Sequence, residues 1–454
     1  MNDNDMIFGT AAPVPPSTVT SASAAPSTPK PQVETAQEYR HEGDKSIWGI
    51  YGFLCLVSIV ELYSASSREV ASAGVYGPIL RHFLMLVAGF GIVWGLSRVH
   101  YKYFFGLAWL IALFSIGSML YVSMFGEIVN GARRHFSLMG ITIQPSEFIK
   151  LSAVLVIARI MARSQKPKGV GVINRGIYMS AAVVLLFGAL LFKQGLTNTL
   201  LLMSISLAMM LIGGTELRKF FLVVGVYAIL GAGAVLVKGF VKDHNAQAAQ
   251  TTAIAEAPEN VAERQGTWKA RLDRYFSSVP KYEEEITATN RQEMYSYMAQ
   301  ANGGFFGVMP GNSRETARLP LAFSDYIYAI IVEDLGFLGG TALMLLYLAL
   351  LVRAGVIARK CHRAFPVLLV VGLAVMIVMQ ALFHMAITTG TFPVSGQPLP
   401  LISKGGTSIL VTSIAFGMML SVSRTAVQNG TKQEVKEELS ALPEEMRANN
   451  PVQF

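Results

Sequence analysis

Ten apolar stretches, each about the length of a bilayer-crossing helix, run through the chain from Ile47 to Ser423, and most are separated by short polar turns. They fall near residues 47–66, 79–97, 103–124, 147–163, 176–193, 197–214, 219–238, 325–352, 366–390 and 406–423. In lipid every backbone polar group needs an internal partner, so such a chain folds as helices or as a closed barrel, and stretches this long select helices. Composition agrees, because 52% of the 454 residues are hydrophobic and only 15% are charged, which excludes an ordinary soluble domain. The expected fold is therefore an all-α polytopic membrane protein of ten transmembrane helices, with one long extracytoplasmic loop between spans seven and eight.

The net charge of +8 comes from Lys and Arg in short loops, a topology signal rather than a nucleic-acid patch. A cytoplasmic N-terminus places Arg98 and Lys102, then Arg163, Lys166, Lys168 and Arg175, then Arg218 and Lys219, then Arg353, Arg359, Lys360 and Arg363 inside. The opposite short loops hold fewer: Arg68, Arg133 and Arg134, Lys193, and Lys404. The expected organisation is a disordered cytoplasmic tail over 1–45, a membrane domain over 46–424 with its external loop at 239–324, and a cytoplasmic C-terminal tail over 425–454. The first tail is rich in Pro, Ala, Ser and Thr and lacks an apolar core, so the first span reads as an uncleaved signal anchor. Cys55 lies inside that span and Cys361 in a distant basic loop, so neither a disulfide nor a thiolate metal site is expected.

Three external segments hold most of the remaining polar information. Ser324 and Asp325 directly precede the apolar run Tyr326 to Ile331, which puts Asp325 in the first turn of span eight with Ser324 as its cap. An acid at the mouth of a bilayer helix needs a partner or a task, and a simple interaction with the helix dipole competes with a catalytic role. In the segment NGARRHFSLMGITIQPSEFIK, Arg133 and Arg134 sit on the face where topology disfavours positive charge. Their guanidinium forks suit a pyrophosphate, and Glu127 or lipid phosphates would satisfy them equally well. Ser146 is placed to cap span four, with Glu147 at its first helical position and Lys150 one turn on. These two charges either neutralise each other or line a polar cavity beside Asp325.

The third segment, TFPVSGQPLPLISKGGTS, has too many prolines and glycines for a continuous helix, yet Pro398 to Ile402 is apolar enough to dip into the bilayer. Irregular backbone is tolerated at that depth only against protein or a wet cavity. Ser403, Lys404, Gly405 and Gly406 would then offer a cation and backbone N–H groups at the start of span ten, suited to an anion. Other chemistries find no support: there is no Walker loop, dinucleotide fingerprint, HExxH or CxxC. His82, His135, His362 and His384 are scattered and read as structural or interfacial. Gly89, Gly91, Gly95, Gly339 and Gly340 read as close-packing positions. The alternation of Trp268, Leu272, Tyr275 and Phe276 with charges suits an interfacial helix.

Together, NGARRHF with QPSEFIK, GGFFG with GNS and LPLAFSDYIYAIIVEDLG, and FPVSGQPLPLISKGGTS resemble the SEDS family (shape, elongation, division and sporulation; FtsW/RodA), with the form around Asp325 more similar to the division branch. The resemblance covers most of Ile47 to Arg424. It implies a peptidoglycan glycosyltransferase that polymerises lipid II at the outer face of the cytoplasmic membrane, at the septum, and releases undecaprenyl pyrophosphate. Its partners would be the nascent glycan strand, a class B penicillin-binding protein transpeptidase and other division-complex membrane proteins, with no nucleic acid. The family's essential aspartate falls on Asp325, and Arg133, Arg134, Gln144, Ser146, Glu147, Lys150, Ser403, Lys404, Gly405 and Gly406 are expected to bind substrate. No organic cofactor is implied, and a divalent cation (Mg or Mn) is compatible with the chemistry. A lipid II flippase or an idle division scaffold are the rival readings. The chain departs from the family in three places: Gln194 to Thr199 lacks the acid many relatives carry there, His135 and Phe136 replace a usual Trp, and Lys404 stands where Tyr is common.

Overall fold

The structure, a computed structural model, describes residues 43–65, 76–129, 132–138, 141–166, 171–192, 195–231, 233, 275–276, 283–287, 290–319, 322–361 and 363–441. All but the last three residues of the expected N-terminal tail, together with Trp268 and Leu272 of the proposed interfacial helix, lie outside these residues. Helices occupy each apolar stretch: α1 (Lys45–Ala65), α2 (Tyr76–Ser97), α3 (Tyr101–Phe125), α4 (Pro145–Arg163), α5 (Asn174–Phe192) and α6 (Leu196–Ile212). Residues 217–231 are also helical, followed by α7 (Arg291–Gly303) in the long loop, then α8 (Ile327–Arg359), α9 (Ala364–Thr388) and α10 (Gly406–Ala441). Seven of these are long and apolar enough to cross a membrane, and α6 is a shorter apolar helix. The chain is thus a mostly helical, multi-pass membrane protein.

Burial explains which helices stray from the simple lipid-facing pattern. α4 carries Glu147, Lys150, Arg159 and Arg163, yet Ile149 to Ile157 are all buried, so the face that lipid would reject is turned into protein. α9 and α10 share this central position, with 78% and 83% of their apolar windows buried. α2 and α3 are peripheral and expose Phe83, Leu84, Phe90, Leu110, Leu113 and Phe114, the apolar surface that lipid covers. Close packing at glycine is real at Gly89, where an added Cβ would fall 2.5 Å from Ser413 Oγ of α10; Gly91 and Gly95 meet open space and need another explanation.

Three local findings depart from the expected picture. The outer segment after α3 is not loop but a small antiparallel sheet, β1 (Glu127–Val129), β2 (Ala132–Leu138) and β3 (Ile141–Ile143), in the order β1-β2-β3. Phe136 pairs with Ile143 and Ser137 with Thr142, so the β-branched Ile-Thr-Ile run supplies an edge strand leading into α4. α10 runs beyond the expected end of span ten near residue 423, as far as Ala441. Finally, α8 is broken at Gly336, whose φ of 71° lies in the left-handed region.

That break is filled by the glycine-rich loop after α7. Val308 and Met309 donate their N–H groups to Glu333 O (3.0 Å) and Asp334 O (2.9 Å), while Phe337 and Leu338 donate to Gly304 O (2.9 Å) and Phe305 O (3.2 Å). The interrupted helix therefore recovers its lost bonds from another segment, the condition for irregular backbone at membrane depth. The contact is backbone on backbone: a Cβ on Gly303 would sit 2.0 Å from Val332 O, and one on Gly307 2.2 Å from Asp334 O.

Candidate active site

The third external segment forms a buried strap over the ends of α8 and α9, with Gln397, Leu399, Leu401 and Ile402 all at 2% exposure or less. Lacking helical bonds, its carbonyls are matched one at a time by side chains from three helices. His384 reaches Gln397 O (2.6 Å), Gln380 Nε2 donates to Pro398 O (3.2 Å), Tyr347 OH to Pro400 O (2.6 Å) and Ser58 Oγ to Ile402 O (3.4 Å). The same His384 accepts the Tyr328 N–H through Nε2 (3.4 Å), so the proton sits on Nδ1 and the ring is a neutral bridge from α9 to both the strap and α8. Here a histidine read as structural proves to organise the site.

Asp325 lies in the turn before α8, not in its first turn. The helix starts at Ile327 with Tyr326 in the cap position, and Ser324 Oγ donates to Asp325 Oδ1 (3.0 Å) instead of capping backbone. The α8 dipole still points toward the acid, but the Tyr328 N–H is already taken by His384. Asp325 is half-buried and faces the strap: an added Cβ on Gly396 would fall 2.8 Å from Oδ2. Ser403 Oγ donates to Ser324 O (2.7 Å) and accepts the Leu399 N–H (2.7 Å), and the Lys404 N–H donates to Phe323 O (2.9 Å). The turn that carries Asp325 and the segment Ser403 to Lys404 are therefore neighbours. The Lys404 ammonium lies 4.6 Å from the Phe323 ring centroid, a cation–π contact that holds the charge close to this turn.

A second polar group reaches the strap from below. Lys150 Nζ donates to Glu147 Oε1 (2.7 Å) and Gln380 Oε1 (2.7 Å), and Gln380 in turn holds Pro398 O. Glu147 and Lys150 are buried, so the pair is neutral as a whole while the amide of Gln380 carries its polarity to the strap. α4 starts two residues earlier than expected: Gln144 occupies the cap position, Pro145 leads the helix, and Ser146 is inside it, its buried Oγ without a hydrogen-bond partner among the described residues. The Gln144 N–H donates to Thr407 Oγ1 (3.1 Å), which itself donates to Thr142 O (2.6 Å), stitching β3 and α4 to the start of α10 at Gly406 beside Gly405. The backbone of Arg133 and Arg134 lies in β2, but their side chains are outside what the structure describes.

Sequence reading missed Gln380, His384, Gln397 and Asn198. Asn198 belongs to the stretch that lacks an acid; its Oδ1 accepts from Gln397 Nε2 (2.9 Å), while Gln397 Oε1 is buried without a partner among the described residues. Phe136, in the place of a usual Trp, stacks edge-on to Tyr121 at 5.3 Å. Among the described residues no three His, Cys, Asp or Glu gather as a metal cage, and Cys55 and Cys361 are free.

Fold and site together define a multi-pass membrane protein with an acid held against a proline-rich strap at one end of its helices. Residues 44–428 match the model of the cell cycle protein family that groups FtsW, RodA and SpoVE, and the chain belongs to that family. Among similar proteins, a probable peptidoglycan glycosyltransferase FtsW from Trichlorobacter lovleyi is 29% identical over 80% of this chain and 89% of its own length. Another from Aromatoleum aromaticum is 30% identical over 83% and 86%. In solved structures, a chain of a peptidoglycan synthase complex superposes with a TM-score of 0.62 (23% identity, 85% of this chain, 99% of that one). The RodA protein of Thermus thermophilus gives 0.57 at 21% identity over 84% and 97%, so the fold is shared.

Proposed function

We propose that this protein is a peptidoglycan glycosyltransferase that polymerises lipid II into glycan strands at the outer face of the cytoplasmic membrane during cell division. The observation that carries the reading is the seating of the Asp325 carboxylate against Gly396, beside the Lys404 cation, in a strap built at the end of the helices. Ten spans, cytoplasmic termini and a large extracytoplasmic loop between spans seven and eight put this site on the outer side, where lipid II and the growing strand meet. The division-type relatives support a place at the septum, and the likeness to a chain of a peptidoglycan synthase complex supports a class B penicillin-binding protein transpeptidase as partner.

In the reaction, the C4 hydroxyl oxygen of one lipid-linked disaccharide attacks C1 of the MurNAc at the reducing end of the strand. The new C1–O bond forms with inversion as the bond from C1 to the pyrophosphate oxygen breaks. Asp325 accepts the hydroxyl proton, and the departing electron pair settles on undecaprenyl pyrophosphate. Lys404, with Arg133 and Arg134 on β2, stabilises that charge, and the start of α10 at Gly405 and Gly406 adds oriented N–H groups. Were a divalent cation bound here, Asp325 would be the residue to hold it, and the ion would supply charge stabilisation for the leaving pyrophosphate.

The test gives fluorescent lipid II to the purified protein, with its transpeptidase present. Wild type should make strands, and Asp325→Asn should lose about 100-fold or more in rate while remaining folded. Strand synthesis undiminished in Asp325→Asn refutes the assigned base. Lipid scrambling without polymer, in wild type and variant alike, would mean a flippase instead.

A further inference from the structure

Away from the strap, α1 and the break in α8 bring together two acids that the reaction does not use. Glu61 of α1 and Asp334 of α8 are both at 0% exposure, and they interact electrostatically with one another. Neither Glu61 oxygen has a hydrogen-bond partner among the described residues, and Asp334 has no side-chain donor there beyond the Ser64 hydroxyl beside it. No ion pair with Lys, Arg or His among the described residues neutralises either one. The neighbouring acid shows that donors were within reach. Glu333, equally buried, accepts from Ser313 Oγ and from the Arg314 N–H (3.0 Å). The polar loop that satisfies Glu333 thus passes the other two by.

Two adjacent buried carboxylates are costly unless a proton or a cation is shared between them. Ser64 lies three residues after Glu61, on the same face of α1, and its hydroxyl is within hydrogen-bonding reach of the Asp334 carboxylate. Its Oγ takes the Gly311 N–H (3.0 Å), which fixes the hydroxyl beside the pair. Two carboxylates and a hydroxyl form an all-oxygen, doubly negative donor set, which matches a hard divalent cation better than a soft metal.

We propose that Glu61, Asp334 and Ser64 form a binding site for a hard divalent cation that clamps α1 to the break in α8, separate from the site at Asp325. The experiment uses the full-length protein in detergent, stripped with chelator and titrated with Mn2+ alone. Wild type and Asp325→Asn should each bind Mn2+ saturably, detected by loss of its free electron-paramagnetic-resonance signal, with a parallel rise in Tm. Glu61→Gln and Asp334→Asn, nearly isosteric, should lose both effects. Retention of binding in either variant overturns the proposal. So does a metal-independent rise in Tm in both, since that outcome identifies a shared proton in place of an ion. Anomalous scattering from Mn2+ in crystals of the unmutated protein decides the matter if the variants do not fold. A peak between Glu61 and Asp334 supports the site, and a peak only at Asp325, or none, overturns it.

Discussion

A methyl group at position 396 would enter the space of the Asp325 carboxylate, 2.8 Å from Oδ2, and the acid would have to turn away from the strap. Gly396→Ala is therefore expected to leave the fold intact and to lower kcat by about 10- to 100-fold, because a misplaced catalytic group costs that much. Steady-state kinetics on fluorescent lipid II, with Tm as the folding control, check it. The pair below the strap behaves differently. Glu147→Ala leaves Lys150 buried without its counter-charge, at a cost of about 3–5 kcal/mol, whereas Glu147→Gln with Lys150→Met should restore most of the stability. Thermal unfolding of the single and double variants distinguishes the two. Asp325, Glu147 and Lys150 were legible in the sequence because a charge in an apolar stretch demands an explanation. Gln380, His384 and Asn198 were not, because neutral polar residues in such stretches are common and their partners are reached only through the fold.

Among the elements, the broken α8 shows how far a motif can be read without its reason. The glycines of GGFFG and of EDLG stood out in the sequence, but hydropathy shows neither the break at Gly336 nor the loop that fills it. Their pairing joins residues 303–309 to 333–338, and periodicity within one stretch carries no information about the other. The small sheet escaped for a related reason, since two of its strands have three residues and are too short to show a period of two. Gly307 and Gly336 combine positive φ, 84° and 71°, with backbone contacts that leave no room for Cβ. Gly307→Ala or Gly336→Ala should each destabilise the protein by more than about 2 kcal/mol, since strain and displacement of the paired backbone add. A fall in Tm, with faster proteolysis in the loop between α7 and α8, is the expected result; an unchanged Tm would mean the loop does not occupy the break.

At the scale of the whole molecule, Asp44, directly before α1, joins that helix to α8 and α10. Its Oδ1 accepts the N–H groups of Ser46 and Ile47, capping α1. Both of its oxygens accept from the Arg353 guanidinium of α8, at 2.9 and 2.8 Å from Nε, and its own N–H donates to Ser423 Oγ of α10 (3.0 Å). Burial pushes the Asp44 carboxyl up, but the bond to Arg353 and those from the two N–H groups outweigh it and hold the group below the usual carboxylate range. A carboxyl depressed by folding stabilises the native state fully above its unfolded pKa of about 3.9, and that contribution disappears as pH falls through the lower, folded value. With Arg353 about one-third exposed, solvent screening limits the contribution to about 1 kcal/mol. Asp44→Asn should thus lower Tm at pH 6 to 7, and the gap between variant and wild type should close as the pH is taken below about 4. A gap that stays constant across this range would show that the ionised carboxylate is not its source, since an asparagine at that position keeps the acceptor oxygen of the α1 cap and has no charge to titrate.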